Sequence, residues 1–332
     1  METLLLGIEV FPISLALTIA ATGVALPRLQ KAHAGQRILE IGPAWHKSKE
    51  GTPTMGGIAP LIATLLCTSA FAAYLSRSLG NHMVPWLLTF LFATGNGCIG
   101  LVDDLTKIRH ARNLGLTPWQ KLFLQATVAI GYLLLLRIHG IVDSAVRIPF
   151  TTFEWQMGIL WYPFFFLVIL WFVNCANLTD GVDGLASSVN GWIGVFYFWI
   201  ACREGNLSLA LCSSSLSGGA FGFLCYNRHP ARIFMGDTGS LFFGALVVGC
   251  AMISSSPLSL FFLAFVFLAE GVSVVLQVLY FKITHGKRLF KMAPLHHHLE
   301  KCGMSEWGIT LSAVFLTVLF GFIGYWSYFH AT

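Results

Sequence analysis

Ten long apolar stretches divide the chain and leave it few ways to fold. They run near residues 4–26, 56–76, 84–102, 121–138, 158–175, 185–202, 208–225, 238–254, 258–281 and 307–329. A helix that crosses a bilayer needs about 20 mostly apolar residues to cover a hydrocarbon core of roughly 30 Å. Each stretch is close to that length, and the connections between them are too short to form a soluble domain. Composition agrees: 56% of the 332 residues are hydrophobic and 11% are charged, where soluble domains carry charge on about a quarter of their residues. Such a chain cannot cover itself with polar surface, so its outer solvent is lipid. The expected fold is an all-α integral membrane protein of about ten transmembrane helices, a single polytopic domain over residues 1–332. The first stretch lacks the basic start and small-residue cleavage site of a secretory signal, so it is expected to stay as a first helix.

Basic residues set the orientation. All Lys and Arg residues except Arg77, Arg137, Arg147 and Arg203 fall in or beside the loops that follow odd-numbered stretches. Those loops are expected in the cytoplasm, which puts both termini on the outer side, periplasmic or extracellular. The polar clusters with chemical promise fall in the same loops. They are Lys49-Glu-Gly-Thr-Pro-Thr54-Met-Gly-Gly57, Asp103-Asp104-Leu-Thr-Lys107, Asn177-Leu-Thr-Asp180-Gly181-Val-Asp183-Gly184, Met235-Gly-Asp237-Thr-Gly-Ser240 and Pro294-Leu-His296-His297-His298. This segregation points to one active site on the cytoplasmic face. On the outer side, the Val/Ile/Thr/Phe-rich segment 139–157 can form a small hairpin. Eight cysteines occur without paired spacing, which gives no zinc or redox motif and leaves them as small hydrophobes.

Carboxylates at membrane depth are costly and mark functional positions. Asp180 and Asp183 stand three apart at the start of a span, so on a helix they share a face. Either alone reads as a helix cap. In a string whose glycines let another molecule approach the backbone, both read as binding residues. Asp103 and Asp104 are neighbours, and adjacent side chains diverge on a helix. Both can hold one metal only if the helix has ended there; otherwise one faces the reacting centre and the other holds a lysine or a structural partner. Lys107, one turn on, is placed to be that lysine or to bind a phosphate. Asp237, among small residues, suits a hard cation shared with phosphate oxygens, because magnesium commonly takes only one or two protein carboxylates. The three histidines lack zinc spacing and read as a solvated loop or as imidazole donors to phosphate. Lys49 and Lys121 can neutralise phosphates, although orientation alone also places lysines there. Glu270, beside Gly271 within the ninth stretch, marks a break or an internal polar contact and receives no chemical role.

In their order and spacing these five loops resemble the MraY family, the phospho-MurNAc-pentapeptide transferases. The likeness runs from Lys49 to Glu306. Gly-Thr-Pro-Thr-Met-Gly-Gly and Pro-Leu-His-His-His are closer to it than to the related polyprenyl-phosphate N-acetylhexosamine-1-phosphate transferases, which share mainly the aspartate loops. The resemblance implies transfer from UDP-MurNAc-pentapeptide to undecaprenyl phosphate, giving lipid I and UMP with Mg2+, at the bacterial plasma (inner) membrane in peptidoglycan biosynthesis. It also implies a broken ninth helix near the lipid cleft, and a homodimer. No nucleic-acid partner is expected.

By the same likeness Asp237 binds the metal, Phe234 packs on uracil, and Gly181, Asp183, Gly184 and Leu185 line the nucleoside pocket. Lys49, Thr54, Lys121, Asn177, Asp180, Asn227 and His298 complete the expected substrate-binding set. Asp103, Asp104, Lys107, Asp237, His296 and His297 form the expected catalytic set, with Asp103 orienting or deprotonating the attacking phosphate. A route through an aspartyl-phosphate enzyme is the competing mechanism. Val182 stands where the family usually has leucine, and the segment after the histidines is less typical. The rival functions are a UDP-GlcNAc-specific sister enzyme, a transporter or channel, and a membrane scaffold.

Overall fold

The computed structural model describes residues 2–31, 51–79, 83–109 and 115–329; Lys49 lies outside them. The apolar stretches become α1 (Glu2–Lys31), α2 (Ile58–Leu79), α3 (Val84–Arg109), α4 (Pro118–Ile138), α5 (Trp161–Thr179), α6 (Leu185–Glu204), α7 (Leu207–Asn227) and α8 (Gly236–Ile253). The ninth stretch splits into a 3-10 turn at Pro257–Ser259, a single turn α9 (Leu260–Leu263) and α10 (Phe265–Ile283), with the break at Ala264. A seven-residue helix, α11 (Leu295–Lys301), carries the three histidines, and α12 (Glu306–Phe329) closes the chain. The histidine run is thus helical, not a solvated loop; the helix begins directly after Pro294, which is its extended N-cap. Ten of these helices are long and apolar enough to cross a membrane. Between α4 and α5 lies the expected hairpin, β1 (Ala145–Arg147) antiparallel to β2 (Glu154–Gln156), with Val146 opposite Trp155.

Helix ends follow local chemistry. Before α4, Thr117 Oγ1 accepts from Gln120 N–H at 3.3 Å and Gln120 Oε1 accepts from Thr117 N–H at 2.9 Å, a reciprocal cap followed by Pro118. α3 does not stop at its aspartates but runs on through both to Arg109.

The core is centred on α8, where every residue from Thr238 to Ile253 is buried. A helix that is apolar all round belongs inside a bundle, and α3, α5 and α7 surround this one. α1 approaches α7 closely because Gly218 and Gly222 present no side chain; a Cβ on either would collide with the α1 backbone at Phe11 or Leu15. This small-residue spacing is the usual device for tight helix contact in lipid. At the periphery, α10 buries only Val266, Phe267, Glu270, Gly271 and Ser273, while Val275, Leu279 and Ile283 face outward.

Candidate active site

The ends of α3, α4, α5 and α8 meet around Asp237. This residue stands in the first turn of α8, where helix geometry favours a negative charge. Its Oδ2 accepts from Lys107 Nζ at 3.0 Å and from Lys121 Nζ at 2.9 Å. Its Oδ1 accepts from Asn177 Nδ2 at 2.9 Å, and the same amide donates to Ser240 Oγ at 2.8 Å. Asn177 Oδ1 in turn accepts from Lys121 at 3.1 Å. One carboxylate is thereby fixed by groups from three other helices.

Asp103 and Asp104 serve this residue in different ways. Asp104 caps α8: its carboxylate accepts from Asp237 N–H at 3.1 Å, Thr238 N–H at 2.9 Å and Thr238 Oγ1–H at 2.7 Å. Asp103 is ion-paired to Lys107 at 2.6 Å and accepts from Leu116 N–H at 2.8 Å, which pins the approach to α4. Both are 3% exposed, whereas Asp237 is partly open. Oxygens of all three lie within 4.8 Å of one another. α3 does not end at this pair, and the two side chains diverge as expected on a continuous helix: Asp103 holds the lysine and Asp104 holds a structural partner, the start of α8.

A second group of residues forms the adjoining wall. Asp183 Oδ2 accepts from His229 Nδ1 and Ala231 N–H, both at 3.0 Å. Glu306 at the start of α12 accepts from Asp183 N–H at 3.2 Å. Asp180 sits between this wall and the cluster. Burial pushes its carboxyl well above the usual carboxylate range, and the nearby charges of Asp237, Asp104 and Asp183 add to the shift. So many carboxylates in one place create a field that a cation would relieve. The segment 53–57 covers the α8 start through backbone bonds from Phe234 N–H to Pro53 O (2.8 Å), Gly56 N–H to Phe234 O (2.9 Å) and Gly57 N–H to Met235 O (2.8 Å).

With this geometry in view, the comparisons with known proteins decide the family. A family model described as "Glycosyl transferase family 4" matches residues 86–255, and one described as "Phospho-N-acetylmuramoyl-pentapeptide-transferase signature 1" matches residues 49–59. A phospho-N-acetylmuramoyl-pentapeptide-transferase of Thermoanaerobacter sp. (strain X514) is 40% identical over 312 residues, covering 92% of this chain and 95% of the relative. Proteins of the same name from Clostridioides difficile (strain 630) and Halalkalibacterium halodurans are 38% and 37% identical, over 90% and 94% of this chain and 91% and 94% of their own lengths. The chain belongs to the phospho-N-acetylmuramoyl-pentapeptide-transferase family. Membership and ten apolar helices together make it a multi-pass membrane protein.

Within this family member the expected residues separate into three groups. Asp103, Asp104, Lys107, Lys121, Asn177 and Asp237 converge, with Asp180 beside them. Thr54 and Phe234 are half-buried neighbours across the strand-like contact just described. Gly181, Gly184 and Leu185 line the turn into α6, Gly184 in the left-handed conformation at φ 74°.

Other expected positions have partners inside the protein. Asn227 is 2% exposed; its Oδ1 accepts from Ser187 Oγ of α6 at 2.8 Å and its Nδ2 donates to the Ile233 carbonyl at 3.0 Å, so it ties the 228–233 turn to α6. His298, expected to contact substrate, accepts from Lys291 N–H at 3.1 Å, lies 3.7 Å from Cys302 Sγ and packs on Phe290. Two residues along the helix, it points to nearly the opposite side from His296, which is buried. His297 contacts Glu300 at 2.6 Å. Residues not foreseen are Ser240, Thr238, His229 and Glu306; of these, only Thr238 and Ser240 sat in a flagged motif.

The donor set fits a hard divalent cation. The converging ligands are carboxylate oxygens without Cys or His, which suits magnesium or manganese and not zinc.

Proposed function

We propose that this chain transfers phospho-MurNAc-pentapeptide from UDP-MurNAc-pentapeptide to undecaprenyl phosphate, forming lipid I and releasing UMP in peptidoglycan synthesis. The carrying observation is Asp237, a carboxylate held by two lysines and an amide at one end of a membrane bundle. The name of the family supports the choice of substrate. Phosphoryl transfer depends on positioning and charge stabilisation more than on covalent chemistry. Lys107 and Lys121 place two positive charges where a pyrophosphate can exchange with their carboxylate partners. Asp103 shares Lys107, so a lipid phosphate drawn to that lysine arrives beside it, and Asp103 orients the attacking oxygen. Asp237 is the metal ligand, and magnesium bound there supplies a hard Lewis acid for phosphate oxygens. Phe234 offers an aromatic face for uracil, and Asp180, Gly181 and Asp183 form the wall of the nucleotide site.

In this reading the chain is one polytopic unit of a homodimer in a bacterial plasma membrane. Both termini lie outside and the Asp237 end faces the cytoplasm, as the lysines and arginines favour. The test is incubation of detergent-purified protein with undecaprenyl phosphate, magnesium and either UDP-MurNAc-pentapeptide or UDP-GlcNAc, with mass analysis of the lipid. A lipid-linked muramyl pentapeptide is expected. Product from UDP-GlcNAc alone would move the chain to the sister activity, and no product from either would reject the transferase reading.

A further inference from the structure

The cluster around Asp237 leaves one buried carboxylate of the ninth span unused. Glu270 lies in the first half of α10, 5% exposed, on the narrow inward side of a helix that otherwise faces outward. An ionisable group so placed needs a partner, and its partner is the equally buried His296 of α11. Glu270 Oε2 accepts from the His296 backbone N–H at 3.3 Å and lies 3.1 Å from its Nδ1. An oxygen that already accepts from the amide presents itself as an acceptor to the ring as well, which puts the ring hydrogen on Nδ1.

The other ring nitrogen has no such anchor. His296 Nε2 is buried and has no hydrogen-bond partner. It abuts Gly181, where any added Cβ would collide with it. Buried polar atoms ordinarily find partners, so an orphaned nitrogen set against the 180–183 turn is shaped for a group that the protein does not supply. The ring is gripped on one side by a carboxylate and given room on the other by a glycine.

We propose that Glu270 is a positioning residue, which fixes the tautomer and orientation of His296 so that Nε2 faces bound substrate beside Gly181. The inference rests on the transferase reading above and deepens it. Glu270 touches no reacting atom; it acts through the imidazole, as carboxylates behind functional histidines commonly do. A neutral ring with hydrogen on Nδ1 offers a lone pair at Nε2, so the substrate group it meets is an O–H or N–H donor of the nucleotide-sugar and not a phosphate oxygen.

The test uses the full chain in detergent with 15N-labelled histidine. Long-range 1H–15N spectra, with the His296 signal identified by its loss in His296→Gln, should show hydrogen on Nδ1 and a bare Nε2. They should also show that pattern lost in Glu270→Gln. A wild-type spectrum with hydrogen on Nε2 alone overturns the inference whatever the enzyme's substrate. In the transfer assay, Glu270→Gln should lower kcat by about ten- to hundredfold with KM for the nucleotide-sugar changed less than about threefold. In the His296→Gln background the same change should matter less than about twofold, as for two residues acting as a unit. Equal losses in both backgrounds, or a Glu270→Gln enzyme as fast as wild type, would overturn it. If Glu270→Gln does not fold, the wild-type spectrum decides. A wild type that performs no transfer yet shows the expected spectrum would reject the transferase reading and leave the pair supported.

Discussion

Asp104 holds the start of α8 with both carboxylate oxygens and so determines where Asp237 stands. Asp104→Ala removes a cap with three hydrogen bonds and is expected to destabilise the protein by about 1–2 kcal/mol; a melting temperature in detergent equal to wild type would contradict this. Asp180 carries a different signature. Its carboxyl is raised in the folded protein by burial first and neighbouring carboxylates second. The stability tied to its protonated form is complete below the ordinary carboxylate range near ~4 and is lost as pH rises through the raised value. Asp180→Asn should therefore melt progressively higher than wild type as pH goes from about 5 to about 8 without divalent cation; a gap that fails to widen with pH would contradict the assignment. At this scale the sequence was legible where a motif concentrates chemistry, as Gly-Asp-Thr-Gly-Ser does around Asp237. It was not legible where a side chain's partners lie 40 or more residues away. Asn227 meets Ser187, and Asp183 meets His229 and Ala231, and no local pattern encodes those bonds.

α3 and α8 carry the site between them, and Gly100 permits the approach. A Cβ there would strike the Asp237 carbonyl, so Gly100→Ala should push the two helices apart. The expected cost is about 1–3 kcal/mol, with transfer activity falling because Asp237 moves. Gly131 in α4 is the control: nothing lies within 4 Å of its position for a Cβ, so Gly131→Ala should keep activity and stabilise by about 0.5–1 kcal/mol through helix propensity. Melting temperature and UMP release measured on both variants check the pair. The spans themselves were readable, since length and apolarity decide them. Their ends were less so. The apolar pattern of α3 stops at Val102, yet the helix runs seven residues further because Asp103, Asp104 and Lys107 find partners on α8 and before α4. The break implied by the family likeness falls at Ala264, where no proline or glycine announces it, and not beside Glu270 and Gly271, through which α10 runs unbroken.

Across the whole molecule, the polar clusters that chain order separates by more than a hundred residues meet at one end of the bundle, and the hairpin 145–156 belongs to a loop at the other end of α4 and α5. The proposed orientation makes a labelling prediction. Cys302 is exposed beside α11, so a variant retaining only that cysteine should react with a membrane-impermeant maleimide after permeabilisation and not in intact cells; labelling in intact cells would invert the topology. Lys121 and Asp237, 116 residues apart and 2.9 Å from each other, show how the fold assembles a charge cluster from the ends of separate helices. In the proposed reaction phosphoryl transfer takes place at this carboxylate. Its most direct test is UMP release from UDP-MurNAc-pentapeptide with undecaprenyl phosphate and magnesium, measured for wild type and for folded Asp237→Asn. Lipid- and metal-dependent UMP is expected from the wild type, with a loss of about a hundred- to thousandfold or more in the variant. Near-normal release by Asp237→Asn would contradict it.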